Sequence, residues 1–222
     1  MNTISSNSQH YYTNIWTQDD QPGKLFWMDA DFNIYSYKVQ EKVFRSFLYG
    51  LKNRDKIKNV LELGAGTGRM TKIVLETFSN SIETYDVLDI DLGNHLEKAK
   101  THLGELYNRV SSWMNLDVTS SKFDKTFFEY DPYRKYDLIL ATELYMYILP
   151  KDIESVISKV SKICENHFVN LDWWPPFHVD KQTSWYFRHD YPSLYEKNGL
   201  VKQVIRRIPE INQAIFHYNM IR

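Results

Sequence analysis

A single cysteine, Cys164, is all that this chain of 222 residues contains. It cannot form a disulfide within the chain, and with no Cys or His pairs at zinc-ligand spacing it cannot seed a structural metal site. A reducing compartment and no metal are expected. Excess charge of either sign is also missing, because 27 Lys+Arg stand against 28 Asp+Glu for a net charge of −1. The cationic footprint of a duplex-binding protein is therefore absent, and no nucleic-acid partner is expected. No apolar run approaches the roughly twenty residues that span a bilayer. The first ten residues, MNTISSNSQH, are polar and lack the apolar stretch of a secretory signal. No membrane partner and a cytoplasmic location are expected. What is plentiful is aromatic: 16 Tyr, 12 Phe and 6 Trp make up 15% of the chain, more than its core requires, so some rings are expected to line a ligand pocket.

The 43% apolar and 25% charged residues are those of a folded chain, and no internal repeat or low-complexity segment divides it. Residues 1–36 read as an N-terminal tail and cap, and 37–222 as one domain. In the cap, Tyr11, Tyr12, Trp16, Phe26 and Trp27 lack a core-forming period and are expected either to form a lid over the acceptor site or to pack as a static cover. From Tyr37 to about Lys52, Val39, Val43, Phe44, Phe47, Leu48 and Leu51 share one helical face. The period then changes. Short apolar strands are predicted over 59–64, 82–90, 110–116, 136–142 and 167–173, with helices after the first, second and fourth. Residues 172–183, with Pro175-Pro176, form a loop, and a short helix over 191–197 ends at Gly199. Residues 200–208 and 211–221 form a closing antiparallel strand pair across Pro209. Seven strands alternating with helices predict an α/β fold: a mostly parallel sheet with helices on both faces and a C-terminal antiparallel strand pair.

The sharpest local signal is Val60-Leu-Glu-Leu-Gly-Ala-Gly-Thr-Gly-Arg69, a strand that delivers Gly64, Gly66 and Gly68 to the start of a helix. Glycines let the backbone turn sharply and approach a ligand, and free N–H groups at the helix start favour an anionic group. The G-x-G-x-G spacing departs from both the nicotinamide-binding and the phosphate-loop patterns. About twenty residues further on, Asp89 ends the second strand, where a carboxylate can accept from both hydroxyls of a ribose; Asp86 and Asp91 compete for that role. Asp117, after the third strand, suits an adenine amino group or, equally, a plain turn.

In order and spacing, Glu62-Leu-Gly-Ala-Gly-Thr-Gly68, Asp89, Leu116-Asp117-Val118 and Tyr136-Asp-Leu-Ile-Leu-Ala-Thr-Glu143 resemble the successive motifs of class I S-adenosylmethionine-dependent methyltransferases. The resemblance covers about residues 55–222 and implies a Rossmann-like fold with S-adenosylmethionine as cofactor. It implies that Glu62, Gly64, Ala65, Gly66 and Gly68 surround the methionine part, that Asp89, followed by Ile90, holds the ribose, that Asp117 and Val118 hold the adenine, and that Thr142 sits beside the cofactor. A narrower likeness, over Gly64 to Lys72 and Tyr85 to Gly104, is to protein N-terminal methyltransferases, and it implies that Arg69 binds the cofactor carboxylate. It weakens on the acceptor side, where Tyr147 and Trp173 stand in place of that family's histidine and asparagine.

The acceptor is expected at the carboxyl edge of the sheet, between Glu143-Leu-Tyr-Met-Tyr147 and Asp172-Trp-Trp-Pro-Pro-Phe-His178. Tyr145, Tyr147, Trp173, Trp174 and Phe177 are candidates for an aromatic wall that attracts a cation or stacks on a planar ring. Asp172, His178 and His189 are the candidate bases, with Glu143 and Tyr147 facing them; Asp190 reads as a helix cap. These features predict methyl transfer to a small-molecule acceptor, with amine nitrogen favoured over hydroxyl oxygen. A protein N-terminal amine as acceptor, and a non-catalytic nucleoside-binding module, are the alternatives.

Overall fold

A computed structural model describes residues 30–174 and 187–220. Its first element is helix α1 (Ala30–Tyr49), which turns Phe44, Phe47 and Leu48 into the core. The helix starts seven residues before Tyr37, and its buried face includes Gln40 and Ser36, polar side chains that an apolar period does not register.

Strand β1 (Asn59–Leu63), helix α2 (Arg69–Thr77), strand β2 (Thr84–Asp89), helix α3 (Leu92–Leu103) and strand β3 (Ser112–Asn115) follow. Next comes a short helix α4 (Ser121–Asp124) that runs into a π-helical turn over Lys125–Glu129 and seats Phe123 and Phe127 in the core. Strand β4 (Tyr136–Thr142), helix α5 (Ile153–Ile163), strand β5 (Cys164–Trp173), helix α6 (Tyr191–Lys197), strand β6 (Leu200–Ile208) and strand β7 (Gln213–Met220) complete the fold. The predicted helices and strands are present, with trimmed ends on β1, β2, β3 and β7 and an earlier start for β5, which runs through Trp173 into the loop predicted over 172–183; residues 175–183 of that loop lie outside the described residues. The segment over Ser121–Glu129 has no counterpart among them.

All seven strands form one sheet in the order β3-β2-β1-β4-β5-β7-β6. β1 to β5 are parallel, and β7 runs antiparallel to both β5 and β6. Alternation along the strands divides the core in two. Leu61, Leu63, Ile139, Ala141 and Phe168 pack on one face with α5 and α6, while Val60, Leu138, Leu140, Val169 and Leu171 pack on the other with α1 and α2. The sheet grows outward in both directions from β1 and β4, so the crevice at their carboxyl ends is the topological switch point where open α/β sheets bind ligands.

Among the described residues, no helix is long and apolar enough to cross a membrane, and no group of three or more His, Cys, Asp and Glu side chains could hold a metal ion.

Candidate active site

The loop after β1 runs directly into the crevice. Gly64, Gly66 and Gly68 take φ values of +69°, +55° and +80°, in the left-handed region that side chains disfavour. The Gly64 N–H donates to the Leu88 carbonyl at 2.7 Å, tying the loop to the end of β2. A Cβ on Gly64 would lie 3.0 Å from the Leu144 side chain, whereas one on Gly66 would meet nothing within 4 Å. Gly66 is therefore the point at which a ligand can approach the backbone.

Asp89 supports this loop. Its Oδ2 accepts from the Gly66 N–H at 2.8 Å and its Oδ1 from the Asp91 N–H at 2.8 Å, with the His95 Nδ1 at 3.6 Å. A carboxylate has about four acceptor sites, so two remain for a diol. Burial raises the Asp89 carboxyl, but the His95 ring and the two backbone donors outweigh it, and its pKa ends below the ordinary value; the same contact raises that of His95. Asp86, the first competitor, is fully buried against Tyr136 and Arg134, where the Tyr136 hydroxyl donates to it at 2.8 Å, and so lies inside the sheet layer. Asp91 stands at the N-cap position of α3 without a side-chain cap bond.

At the end of β3, Asp117 Oδ1 accepts from the Thr119 N–H and hydroxyl, both at 2.7 Å. Its Oδ2 is buried with no hydrogen-bond partner, and burial raises its pKa. Val118 is buried beside it, and Ile90 is partly buried against the same core.

At the opposite end of the crevice, Arg69 opens α2 with its guanidinium 4.2 Å over the Tyr37 ring and its Nη2 3.4 Å from Glu143 Oε2. Its Nη1 is buried without a partner. The two orphaned polar atoms, an acceptor on Asp117 and a donor on Arg69, bracket the glycine loop. They suit the adenine amino group and the carboxylate of S-adenosylmethionine, and the open space at Gly66 and the spare acceptor sites of Asp89 lie between them. The residues present thus fit the cofactor.

Glu62 is placed otherwise than the resemblance implied. Strand alternation puts it on the α2 face with Val60, 1% exposed, where the Thr71 and Tyr85 hydroxyls both donate to its Oε2 at 2.6 Å; burial raises its pKa. It braces α2 against β2 beneath the loop.

The acceptor side also differs from expectation. Asp172 is fully buried, its Oδ1 accepting from the Trp173 N–H at 2.8 Å and its Oδ2 from the Tyr191 hydroxyl at 2.8 Å and the Met146 N–H at 3.2 Å. Burial pushes its pKa up to about 7. His189 is also buried, with Nε2 3.0 Å from the carbonyls of Tyr145 and Ile148, and burial lowers its pKa. A ring nitrogen between two carbonyls can only donate, so Nε2 is committed to this turn. Both side chains therefore hold the 3-10 turn Tyr145–Tyr147 after β4, instead of standing in the crevice. Tyr145 is fully buried and stacks on Phe168, and Trp174 packs edge-on against Phe216 beneath the Arg207 guanidinium. Thr142, Tyr147 and Trp173 are half-buried at this edge, as are Glu143, Leu144 and Trp174, and Asp190 caps α6 by accepting from the Ser193 N–H and hydroxyl. His178, Phe177 and the aromatic residues of the cap lie outside the described residues.

Three site residues have no signal in their local sequence. Gln213 of β7 donates through Nε2 to Glu143 Oε1 at 2.7 Å, Gln40 of α1 donates to Gln213 Oε1 at 2.7 Å, and Tyr37 lies one helical turn from Gln40. Only the folded sheet brings them together. Glu143 itself has φ +52°, an unusual conformation for a side chain of its size.

Residues 61–166 match the family model described as a methyltransferase domain. No curated protein matches the chain in sequence. Among solved structures, a magnesium protoporphyrin IX methyltransferase from Synechocystis PCC 6803 with bound SAM superposes at a TM-score of 0.68, with 12% identity, over 99% of this chain and 100% of the other. An N-methyltransferase from Bradyrhizobium japonicum WM9 superposes at 0.60, with 14% identity, over 88% and 100%. Mitomycin 7-O-methyltransferase superposes at 0.63, with 14% identity, over 97% of this chain and 61% of its own. At such identities these likenesses establish the fold. The family match spans the glycine loop, Asp89 and Asp117, so residues 61–166 are similar to a methyltransferase domain, and the solved structures give the chain the fold of known methyltransferases.

Proposed function

We propose that the enzyme transfers the methyl group of S-adenosylmethionine to the nitrogen of a small-molecule amine. The observation that carries the cofactor half of this reading is the pair of orphaned buried atoms, Asp117 Oδ2 and Arg69 Nη1, on either side of the open glycine loop. When bound, the cofactor supplies an electrophilic methyl carbon on a sulfonium. Asp89 then offers its remaining acceptor sites to the ribose hydroxyls, Asp117 receives the adenine amino group, and Ile90 and Val118 provide the apolar flank of the base. Arg69 takes the carboxylate, and Thr142 stands where β4 meets the crevice.

Nitrogen is supported by what the acceptor edge offers. Methyl transfer needs a lone pair in line with the methyl carbon, and positioning supplies much of its rate. A hydroxyl must lose its proton to become a strong nucleophile, whereas a neutral amine attacks directly and releases its proton afterwards. Among the described residues, the two expected bases, Asp172 and His189, are engaged with the protein's own backbone and with Tyr191. Tyr147 and Trp173 are half-buried after β4 and at the end of β5, and ring faces attract ammonium groups and stack on planar ones.

The test has two stages. Titration calorimetry is expected to show binding of S-adenosylhomocysteine, and no binding at about millimolar ligand to protein shown folded by circular dichroism overturns the whole reading. Transfer of labelled methyl is then measured on amines, phenols and a peptide with a free N-terminus. Labelling of small amines, at a rate that rises with pH as the amine deprotonates, is expected. Labelling of phenols alone, or of the peptide alone, overturns the acceptor assignment and leaves the enzyme class standing.

A further inference from the structure

Glu62, the acidic residue of the glycine motif, is sealed beneath the loop with its donors Thr71 and Tyr85. The α-ammonium of a bound methionine moiety therefore needs a carboxylate from elsewhere. We propose that Arg69 and Glu143 form a matched pair for the zwitterionic amino-acid end of S-adenosylmethionine, Arg69 binding the carboxylate and Glu143 the ammonium. The inference rests on the enzyme's being an S-adenosylmethionine methyltransferase and adds a residue that binds the cofactor.

Four observations support it. The pair is long: Arg69 Nη2 donates to Glu143 Oε2 at 3.4 Å, where a short charge-assisted hydrogen bond lies at about 2.7–2.9 Å. Arg69 keeps a buried donor without a partner, and its guanidinium rests on the neutral face of Tyr37. Apart from that long contact with Arg69, Glu143 is aimed by neutral groups. Gln213 holds Oε1 and is itself held by Gln40, both amides being buried, so that oxygen is oriented by bonds that bring no charge. Finally, Glu143 lies at the place such a group must occupy. It follows β4 directly, and the next residue, Leu144, stands against Gly64 so closely that a Cβ there would lie 3.0 Å away. The φ of +52° at Glu143 is a local strain that the fold retains at this point.

Calorimetry with three ligands tests the assignment: S-adenosylhomocysteine, its des-amino analogue with hydrogen in place of the α-amino group, and 5′-methylthioadenosine, which lacks the amino-acid end. The wild-type enzyme is expected to bind S-adenosylhomocysteine about tenfold or more tightly than the des-amino analogue, the factor expected for a lost charged hydrogen bond. Glu143→Gln is expected to remove that preference and to leave the affinities for the des-amino analogue and 5′-methylthioadenosine unchanged. Arg69→Gln is expected to weaken S-adenosylhomocysteine and the des-amino analogue alike. Equal wild-type affinity for the first two ligands overturns the proposal without any variant, so it stays falsifiable even if Glu143→Gln does not fold. A loss in Glu143→Gln that is equal for those two ligands also overturns it, since Glu143 would then act through Arg69 or the fold. A wild-type protein that binds neither S-adenosylhomocysteine nor 5′-methylthioadenosine fails at the earlier step, the cofactor reading itself.

Discussion

On the two sides of the β1–β4 switch point, polar side chains at the strand ends do opposite things. On the β1–β3 side, each keeps some capacity in reserve: Asp89 has two backbone donors and room for a diol, and Asp117 has one oxygen engaged and one free. On the β4–β5 side, Asp172 and His189 are used up by the protein. Asp172 accepts from three donors and His189 spans two carbonyls, both to hold the turn Tyr145–Tyr147. The first side offers pre-placed acceptors, whereas the second spends its polar groups on its own backbone.

The largest expected effect strikes the second side. Asp172→Ala leaves the Met146 and Trp173 N–H groups and the Tyr191 hydroxyl without an acceptor in the core. At about 1 kcal/mol or more for each stranded donor, urea melts near pH 7 are expected to show a loss of about 3 kcal/mol. The affinity of the folded fraction for S-adenosylhomocysteine is expected to stay within about twofold. An unchanged melt combined with weakened cofactor binding breaks the comparison, because Asp172 would then belong to the crevice.

The pH dependence of the same residue sharpens that result. Its pKa moves up from 3.8 to about 7 on folding. Between those values the folded chain holds a proton that the unfolded chain has released, so the stability from this residue falls as pH rises. It is full below about pH 4 and lost above about pH 7. Asp172→Asn has nothing to titrate there. Between about pH 5 and about pH 8 the wild type is expected to lose more stability than this variant, and parallel slopes would show that Asp172 is not buried as described.

How far the sequence carries each side has a physical explanation. The β1 loop, Asp89 and Asp117 are readable because each is a short-range pattern: a strand, a turn chemistry and a helix start within a few residues. Glu62 is misplaced by the resemblance although a signal is present, since alternation in β1 gives it the face of Val60, which α2 covers. Asp172 and His189 lie on either side of an aromatic loop, and nothing local shows that their partners are Met146, Tyr191 and two carbonyls far away in sequence. Tyr145 sits among residues that look like a pocket wall and is instead a core residue against Phe168. Gln40 and Gln213 are separated by 173 positions. Their pairing exists only once β7 has entered the sheet beside β5, which no period along the chain encodes.

On the cofactor side, Asp89→Ala is expected to weaken S-adenosylhomocysteine by about 1.5–3 kcal/mol in calorimetry, since a carboxylate loses its bonds to a diol and the Gly66 N–H loses its acceptor. The effect on folding is expected to be smaller than that of Asp172→Ala, because Asp89 lies at the crevice, where water can replace part of what is lost. If Asp89→Ala unfolds the chain instead, the reserve inferred for this side is wrong and Asp89 is as fully engaged by the fold as Asp172.

The smallest effect is expected two residues further on, and it fixes the register of the site. Asp91 is as buried as Asp89, both being 7% exposed, so burial alone does not distinguish them. Their bonding does. It is the backbone of Asp91 that serves Asp89, donating its N–H to Oδ1, and that bond survives any change to the Asp91 side chain. The Asp91 carboxylate stands 4.0 Å from His95 Nε2, whose other ring nitrogen is nearer to Asp89 at 3.6 Å, so the two carboxylates share a histidine. Asp91→Ala is accordingly expected to shift S-adenosylhomocysteine affinity by about 0.5 kcal/mol or less. If the Asp91 variant proves the more sensitive of the two, the ribose is held from Asp91, and the reserve assigned to Asp89 belongs two residues along the chain.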